Sequence, residues 1–268
     1  MGTRMTSETE KPWWRTNVAV ESYKTLGIAA FFFLFMPTLL FQPFRIPSSS
    51  MEGTLEIGDY LFVSKFTYGY SQYSFPFFTP VAFAGRVMDR PAERGDVVVF
   101  RLPQDPTQDY IKRVVGVGGD RVQMIGGVLH INGEAVKLEK IEDRVDIGED
   151  GSEQRVTRFH ETLPGGVKHV ILDRTPDAQY DDTEEFVVPA GHYFMMGDNR
   201  DNSNDSRVPY SGVGFVPEQN LVGRAEVVFF SHDGSAQLWE VWKWPFVIRY
   251  SRLFSFIGGR PDALLADA

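Results

Sequence analysis

The sequence contains no cysteine. That excludes a disulfide scaffold, a thiol nucleophile and a cysteine-ligated zinc or iron–sulfur centre. Positive charge is also in short supply: 27 lysines and arginines stand against 36 acidic residues, a formal net charge of −9. Such a chain is a poor partner for nucleic acid, which calls for a basic surface, so none is expected. No internal repeat is visible, and helical periodicity is scarce beyond residue 44. The five histidines, His130, His160, His169, His192 and His232, fall in no metal-ligand or triad spacing. Neither a metal nor a cofactor is therefore expected. A Ser–His–Asp arrangement is spatial rather than sequential, so spacing alone leaves it open.

What the chain does have is apolar material, 43% hydrophobic and 14% aromatic residues, and one uncharged run from Leu26 to Phe41. The run is somewhat shorter than the ~20 residues of a spanning helix, and its polar-poor flank through Phe44 extends it to a span. Pro37 predicts a kink inside it. Arg4, Lys11, Arg15 and Lys24 precede the run and only Arg45 follows closely. By the positive-inside tendency the N-terminus stays in the cytoplasm and the bulk of the chain is exported. Trp13 and Trp14 fit an interfacial belt. A cleaved secretory signal needs a small-residue step after the run, and Gln42 to Pro47 contains no Ala-x-Ala. A buried core helix is the other alternative; the basic N-terminal residues and the bulky flank favour an anchor in a phospholipid bilayer.

Beyond the anchor, short runs of β-branched and aromatic residues are punctuated by Gly, Pro and Asp. Strands are predicted over Tyr60–Val63, Asp96–Arg101, Tyr110–Val117, Val128–Ile131, His169–Leu172, Tyr193–Met196 and Ala225–Phe230. Asn132-Gly133 between Val128–Ile131 and Glu134–Lys137 predicts a hairpin, since both residues tolerate the positive φ of a type I′ turn. The expected fold class is mainly β: an antiparallel β-sheet domain with an inserted β-rich subdomain, behind one N-terminal transmembrane helix. The expected boundaries are a cytoplasmic tail over 1–24, the anchor over 25–44, a β core over 45–136 and 186–257, the insertion over 137–185 and a C-terminal tail over 258–268. The insertion is rich in Asp and Glu and reads as a solvated face. The aromatic stretch Trp239–Phe246 fits either a membrane surface or packing on the domain.

Three segments combine reactive side chains with sharp backbone punctuation. In Ile46-Pro47-Ser48-Ser49-Ser50-Met51-Glu52-Gly53-Thr54-Leu55, three serines follow a proline and run directly into apolar, core-facing positions, unlike a polar linker. In Asp109–Val117 a lysine sits mid-strand, with Tyr110, Lys112 and Val114 on one face and Ile111, Arg113 and Val115 on the other. Apolar neighbours and the nearby Arg113 charge both disfavour the ammonium of Lys112, and a neutral lysine is a general base. A lysine snorkelling from an edge strand is the bland alternative. The third segment, Gly197–Arg207, is a dense polar loop. Asp201, Ser203 and Asp205 have the alternating oxygens of a calcium loop, but Ser206 and Gly212 stand where an EF-hand needs glycine and glutamate.

Together these segments resemble the motifs of bacterial type I signal peptidases, the serine–lysine endopeptidases known as leader peptidases. The likeness rests on Ser48-Ser49-Ser50-Met51-Glu52-Gly53-Thr54-Leu55, Arg94-Gly95-Asp96-Val97, Tyr110-Ile111-Lys112-Arg113 and the Gly197–Arg207 loop, in the family's order behind an anchor. It covers roughly residues 25–257, the insertion only loosely. The family usually carries proline where this chain has Gly53, which predicts a more flexible loop here. Lys112, rather than the histidine of endoplasmic-reticulum relatives, favours the bacterial or organellar branch.

The resemblance implies an enzyme that cleaves signal peptides from exported preproteins at a bacterial inner membrane, single-pass, with its catalytic domain on the periplasmic or outer side. It implies Ser50 as nucleophile and Lys112 as base. Ser48 would serve the oxyanion beside the Ser50 backbone N–H, and Ser203 would hydrogen-bond the lysine amine and aim it. Asp198, Asp205, Arg113 and Arg207 would form charged pairs holding loop to strand. Phe44, Ile46, Pro47, Met51, Leu55, Tyr110 and Ile111 would line shallow substrate pockets, and aromatics in Tyr68–Phe83 would add membrane contact. Two rival readings stand: an anchored, non-catalytic or calcium-dependent β domain, and an organellar processing peptidase of the same chemistry. Glu8, Glu10 and Glu21 argue against the transit peptide the latter would need.

Overall fold

The computed structural model describes residues 17–74, 85–147, 153–175, 177–208, 211–236, 240 and 242–258. Trp13, Trp14, residues 75–83 of the aromatic run, Trp239 and the tail from residue 259 lie outside them.

Helix α1 spans Asn17–Phe35 and continues as a π-helical turn over Met36–Leu40. Much of its apolar surface is exposed: Leu26 is 66% and Phe33 71% exposed. Pro37 has no N–H for the ladder, and the next turn widens until the Phe41 N–H reaches the Met36 carbonyl. Among the described residues, Val20–Leu40 is the one helix long and apolar enough to cross a membrane. Two boundaries differ from those expected. The chain is already helical at Asn17, inside the presumed tail, and Phe41–Phe44, expected to end the anchor, belong to a strand. Backbone pairing with a partner that lies later in the chain decides the second point.

In chain order the strands are β1 (Phe41–Arg45), β2 (Asp59–Ser64), β3 (Val97–Arg101), β4 (Asp109–Val117), β5 (Arg121–Ile125), β6 (Val128–Ile131), β7 (Glu134–Ala135) and β8 (Lys137–Lys140). They continue as β9 (Arg144–Ile147), β10 (Glu153–Thr162), β11 (Lys168–Asp173), β12 (Phe186–Val187), β13 (His192–Met196), β14 (Phe215–Pro217), β15 (Leu221–Ser231) and β16 (Ser255–Phe256). The fold is mainly antiparallel β. One sheet runs β1-β2-β15-β3-β4-β13-β14 with β16 on β15; a second holds β11-β10-β8 with β9 on β10; a third runs β12-β5-β6-β7. The hairpin at Asn132-Gly133 joins β6 to β7, with φ of 57° and 84°.

β3 explains why the first sheet is buried on both faces. Val97 and Val99 pack in one cluster with Ile46, Met51 and Leu55, while Val98 and Phe100 pack in another with Val114 and Met195. Such a strand reads as an unbroken apolar run, without alternation. A third cluster sets Val122, Met124 and Leu129 of the β5–β6 ribbon against Phe194 and Met196 of β13.

The insertion is less solvated than its composition predicts. Val156, Glu161, Leu163, Val167, His169, Ile171 and Leu172 are all buried. Strand β10 is not predicted because charged residues run through it and its two buried positions, Val156 and Glu161, make no apolar alternation.

Candidate active site

β1 leads out of the first sheet into the serine segment. The chain then folds back in a tight turn, with Glu52 N–H on the Ser49 carbonyl at 3.0 Å and Leu55 N–H on that of Met51 at 2.8 Å. Met51 and Leu55 are 1% and 0% exposed in the first core cluster, and they pull the turn down onto the sheet. Both lie beneath the cleft and do not line it, which corrects their expected place as pocket walls. Ser50 is left at the top of the turn, buried, with Ser48 Oγ 3.4 Å from Ser50 Oγ.

Lys112 reaches this serine from the middle of β4. Its Nζ lies 2.6 Å from Ser50 Oγ and donates to the Ile111 carbonyl at 3.0 Å. The side chain is buried, and that desolvation lowers the amine to a pKa of about 8, while Asp205 and Asp198 pull it back upward. The expected contribution of Arg113 is corrected: its guanidinium is taken up by a carboxylate, so burial alone does the lowering. The expected hydrogen bond from Ser203 to Lys112 is also absent. Ser203 Oγ is buried without a well-formed partner, close enough to Asp205 to stabilise that carboxylate.

The polar loop brings the rest. A side chain at Gly197 would put its Cβ 2.2 Å from Ser203 Oγ and 2.4 Å from the Ser50 carbonyl oxygen, so only glycine lets loop and nucleophile turn touch. Next to it, Asp198 accepts Arg113 Nε at 2.8 Å and Nη2 at 2.6 Å, and the Thr54 hydroxyl at 2.6 Å. Arg113 spends its remaining arm on the Gly95 carbonyl at 2.8 Å. Asp205 takes Arg207 Nε at 3.0 Å and Nη2 at 2.9 Å and caps the Gly197 N–H at 3.0 Å. Asp201 accepts the backbone N–H groups of Arg174 and Thr175. The loop's carboxylates are thus held by guanidinium and backbone donors, an arrangement that replaces the calcium alternative.

Sequence reasoning missed several contributors. Asn199 donates to Ser49 O at 3.1 Å and, through its backbone, to Ser50 O at 3.2 Å. Glu52 binds Arg174 at 2.8 Å. These are long-range pairings; the only signal was that Asn199 belongs to the motif. The flexibility expected from Gly53 is corrected too. Its φ of +106° is closed to other residues, and an added Cβ would meet the Val170 carbonyl oxygen at 2.9 Å. The turn is wedged against β11 and bonded on both sides.

Over Ser50 opens a cleft of about 440 Å³, walled by Phe44, Ile46, Pro47, Val99, Tyr110 and Ile111 and edged by Asn202 and Asn204. A buried serine against a buried amine in an apolar cleft on a β-sheet marks the class as a serine peptidase. The sequence profile described as "Signal peptidase, peptidase S26" matches residues 19–230, and the chain belongs to that family. It is a signal peptidase, a hydrolase of peptide bonds. Signal peptidase I of Rickettsia prowazekii (strain Madrid E) is 44% identical over 200 residues, 72% of this chain and 73% of its own. That of Rickettsia canadensis (strain McKiel) is 39% identical over 218 residues, 79% of this chain and 80% of its own. A crystal structure of a signal peptidase I from Enterococcus faecalis V583, 25% identical, covers 50% of this chain and 97% of its own with a TM-score of 0.32. The fold described above stands on this chain's own strand pairing.

Two outcomes test this geometry. Gly53→Pro, the family's usual residue, forces φ near −65° on a turn built at +106°. It should lower the unfolding free energy by about 1–3 kcal/mol in urea titrations followed by tryptophan fluorescence; an unchanged midpoint would show that the wedge against Val170 relaxes freely. The second concerns the amine. Its folded pKa is about 8 and its reference value 10.5, so between these the unfolded chain binds the extra proton and stability rises with pH. Lys112→Met should therefore unfold at a higher temperature than the native chain below pH ~8, and the gap should close as pH rises toward 10.5. A gap that widens with pH would contradict burial of a destabilised ammonium.

Proposed function

We propose that this chain is a single-pass membrane endopeptidase that removes signal peptides from exported preproteins through a Ser50–Lys112 pair. The observation that carries it is the 2.6 Å approach of a buried Lys112 amine to Ser50 Oγ. In the neutral state the amine accepts the Ser50 proton, with one N–H kept on the Ile111 carbonyl. Ser50 Oγ attacks the scissile carbonyl, and the oxyanion falls to the Ser48 hydroxyl and the Ser50 backbone N–H. Lys112 then returns the proton to the departing amine and draws one from the water that hydrolyses the acyl-enzyme. The catalytic core in this reading is residues 45–136 and 186–257, carrying 137–185 as an insertion.

The preprotein's residues before the cut lie extended along the cleft, added to the edge of β1 and to the stretch of β4 before Arg113, which β13 leaves unpaired. The walls from Phe44, Ile46, Tyr110 and Ile111 suit small side chains there. The relatives' name, signal peptidase I, supports this substrate class. Val20–Leu40 is the membrane span, with the bilayer on its exposed apolar surface. The basic residues before it support a large domain on the outer side of the inner membrane.

Lys112→Arg should be folded by circular dichroism yet cleave no preprotein, because guanidinium keeps its proton. In the native chain kcat/KM should rise with pH and level off above about 8, the pKa of the free amine. Cleavage products are read by mass. Near-native activity of Lys112→Arg would remove lysine from the mechanism and return attention to the histidines. For topology, protease added outside spheroplasts should digest the large domain, and its protection would reverse the orientation.

A further inference from the structure

Beside the reacting groups lies a buried cluster of charges that the chemistry above does not use. β10 and β11 place Glu161 and His169 directly opposite each other in register. They are 0% and 7% exposed. Arg200, from the active-site loop, meets Glu161 Oε2 with Nη2 at 2.5 Å, and His169 Nε2 lies 3.3 Å from the same oxygen. On its other side that ring nitrogen is 3.7 Å from Asp198 Oδ1. The backbone repeats the grip. Leu172 N–H of β11 donates to the Asp198 carbonyl, and Arg200 N–H donates to the Leu172 carbonyl, both at 2.9 Å. Residues 198–200 thus lie as a short parallel partner of β11.

Two of these loop residues also bond directly beside the reacting groups. Asp198 forks onto Arg113, the neighbour of Lys112, and Asn199 holds the carbonyls of Ser49 and Ser50. A mismatch here is expensive, since a carboxylate or guanidinium left alone in the interior has no water to repair it. Burial raises the Glu161 carboxyl, but Arg200 and His169 outweigh it and hold it down at about 2, so it stays charged. Burial and the Arg113 charge lower His169, which keeps its ring neutral.

We infer that Glu161 and His169 are positioning residues for the serine–lysine pair. The inserted sheet holds residues 198–200 through them, and those residues set the distance from Ser50 to Lys112. The inference rests on the reading of Ser50 and Lys112 as the reacting pair. None of Glu161, His169 and Arg200 lines the cleft, so their loss acts on turnover and leaves substrate binding in place.

The test uses the full chain in detergent micelles, with kcat and KM from cleavage of a preprotein and an unfolding midpoint for each variant. Glu161→Gln and His169→Leu should lower kcat about tenfold or more, as expected for small misplacements of reacting groups, with KM within about twofold. His169→Gln, neutral and able to offer Glu161 an N–H, should recover kcat to within about threefold of native. A folded Glu161→Gln chain with native kcat, or a loss confined to KM, overturns the inference; so does a His169→Gln chain as slow as His169→Leu. If Glu161→Gln does not fold, the pair Glu161→Gln with Arg200→Met, which removes both buried charges together, is measured against the same criteria. Lys112→Arg run in parallel separates the two readings: its activity would sink the serine–lysine pair, whereas its inactivity beside a native-like Glu161→Gln chain would sink only the positioning role.

Discussion

The fork between Arg113 and Asp198 is the interaction on which the rest of the site depends. Both side chains are almost wholly buried, 1% and 2% exposed, and the guanidinium also binds Thr54 and the Gly95 carbonyl. A buried ion pair of this kind adds little net stability, because desolvation takes back most of the Coulomb gain; removing one partner, however, costs about 3–5 kcal/mol. Its contribution is geometric. Arg113 follows Lys112 in β4, and Asp198 is flanked by Gly197 and Asn199, which touch the nucleophile turn. One planar, two-point contact therefore fixes Lys112 and Ser50 relative to each other, and alternation along β4 explains how neighbouring residues serve both purposes without competing.

The amine itself is set by a balance. Burial removes water from Lys112 and favours the neutral form, while Asp198 and Asp205 favour the charged one. Each aspartate is bound to its own arginine, Arg113 and Arg207. Their fields at the lysine are partly cancelled, and desolvation prevails. The same pairs that build the loop thus also keep its carboxylates from holding a proton on the Lys112 amine.

The acidic segment 137–185 turns out to be part of this machinery's frame. β11 meets the loop through its backbone, wedges Gly53 through the Val170 carbonyl, and supplies His169 beside Asp198. The nucleophile turn is therefore packed between the first sheet below and the inserted strands to the side. A glycine in place of the family's usual proline fits this chain because the neighbouring strand approaches too closely for any Cβ.

Much of this was legible in the residues. The apolar runs of β2, β3, β4 and β13, the Asn132-Gly133 hairpin, the uncharged N-terminal run and the motif segments containing Ser50, Lys112 and Asp198 all follow from local chemistry: periodicity, turn propensity and reactive groups set in sharp backbone. Strand β1 was hidden in the flank of the apolar run, since only pairing with β2 makes Phe41–Arg45 a strand. β10 was hidden by its charges. Met51 and Leu55 read as core-facing from their own segment, and only the family resemblance made them pocket walls; the packing beneath the turn decides which way they point. Glu161 and His169 carried no local signal at all, being one acid in an acidic stretch and one of five histidines. The sequence by itself determined which groups could react and which segments could be strands. The tertiary structure decided which carboxylate met which guanidinium, how deeply the amine was buried and how near it came to the serine. Those quantities depend on distances between residues remote in the chain, and desolvation and Coulomb energy are set by such distances.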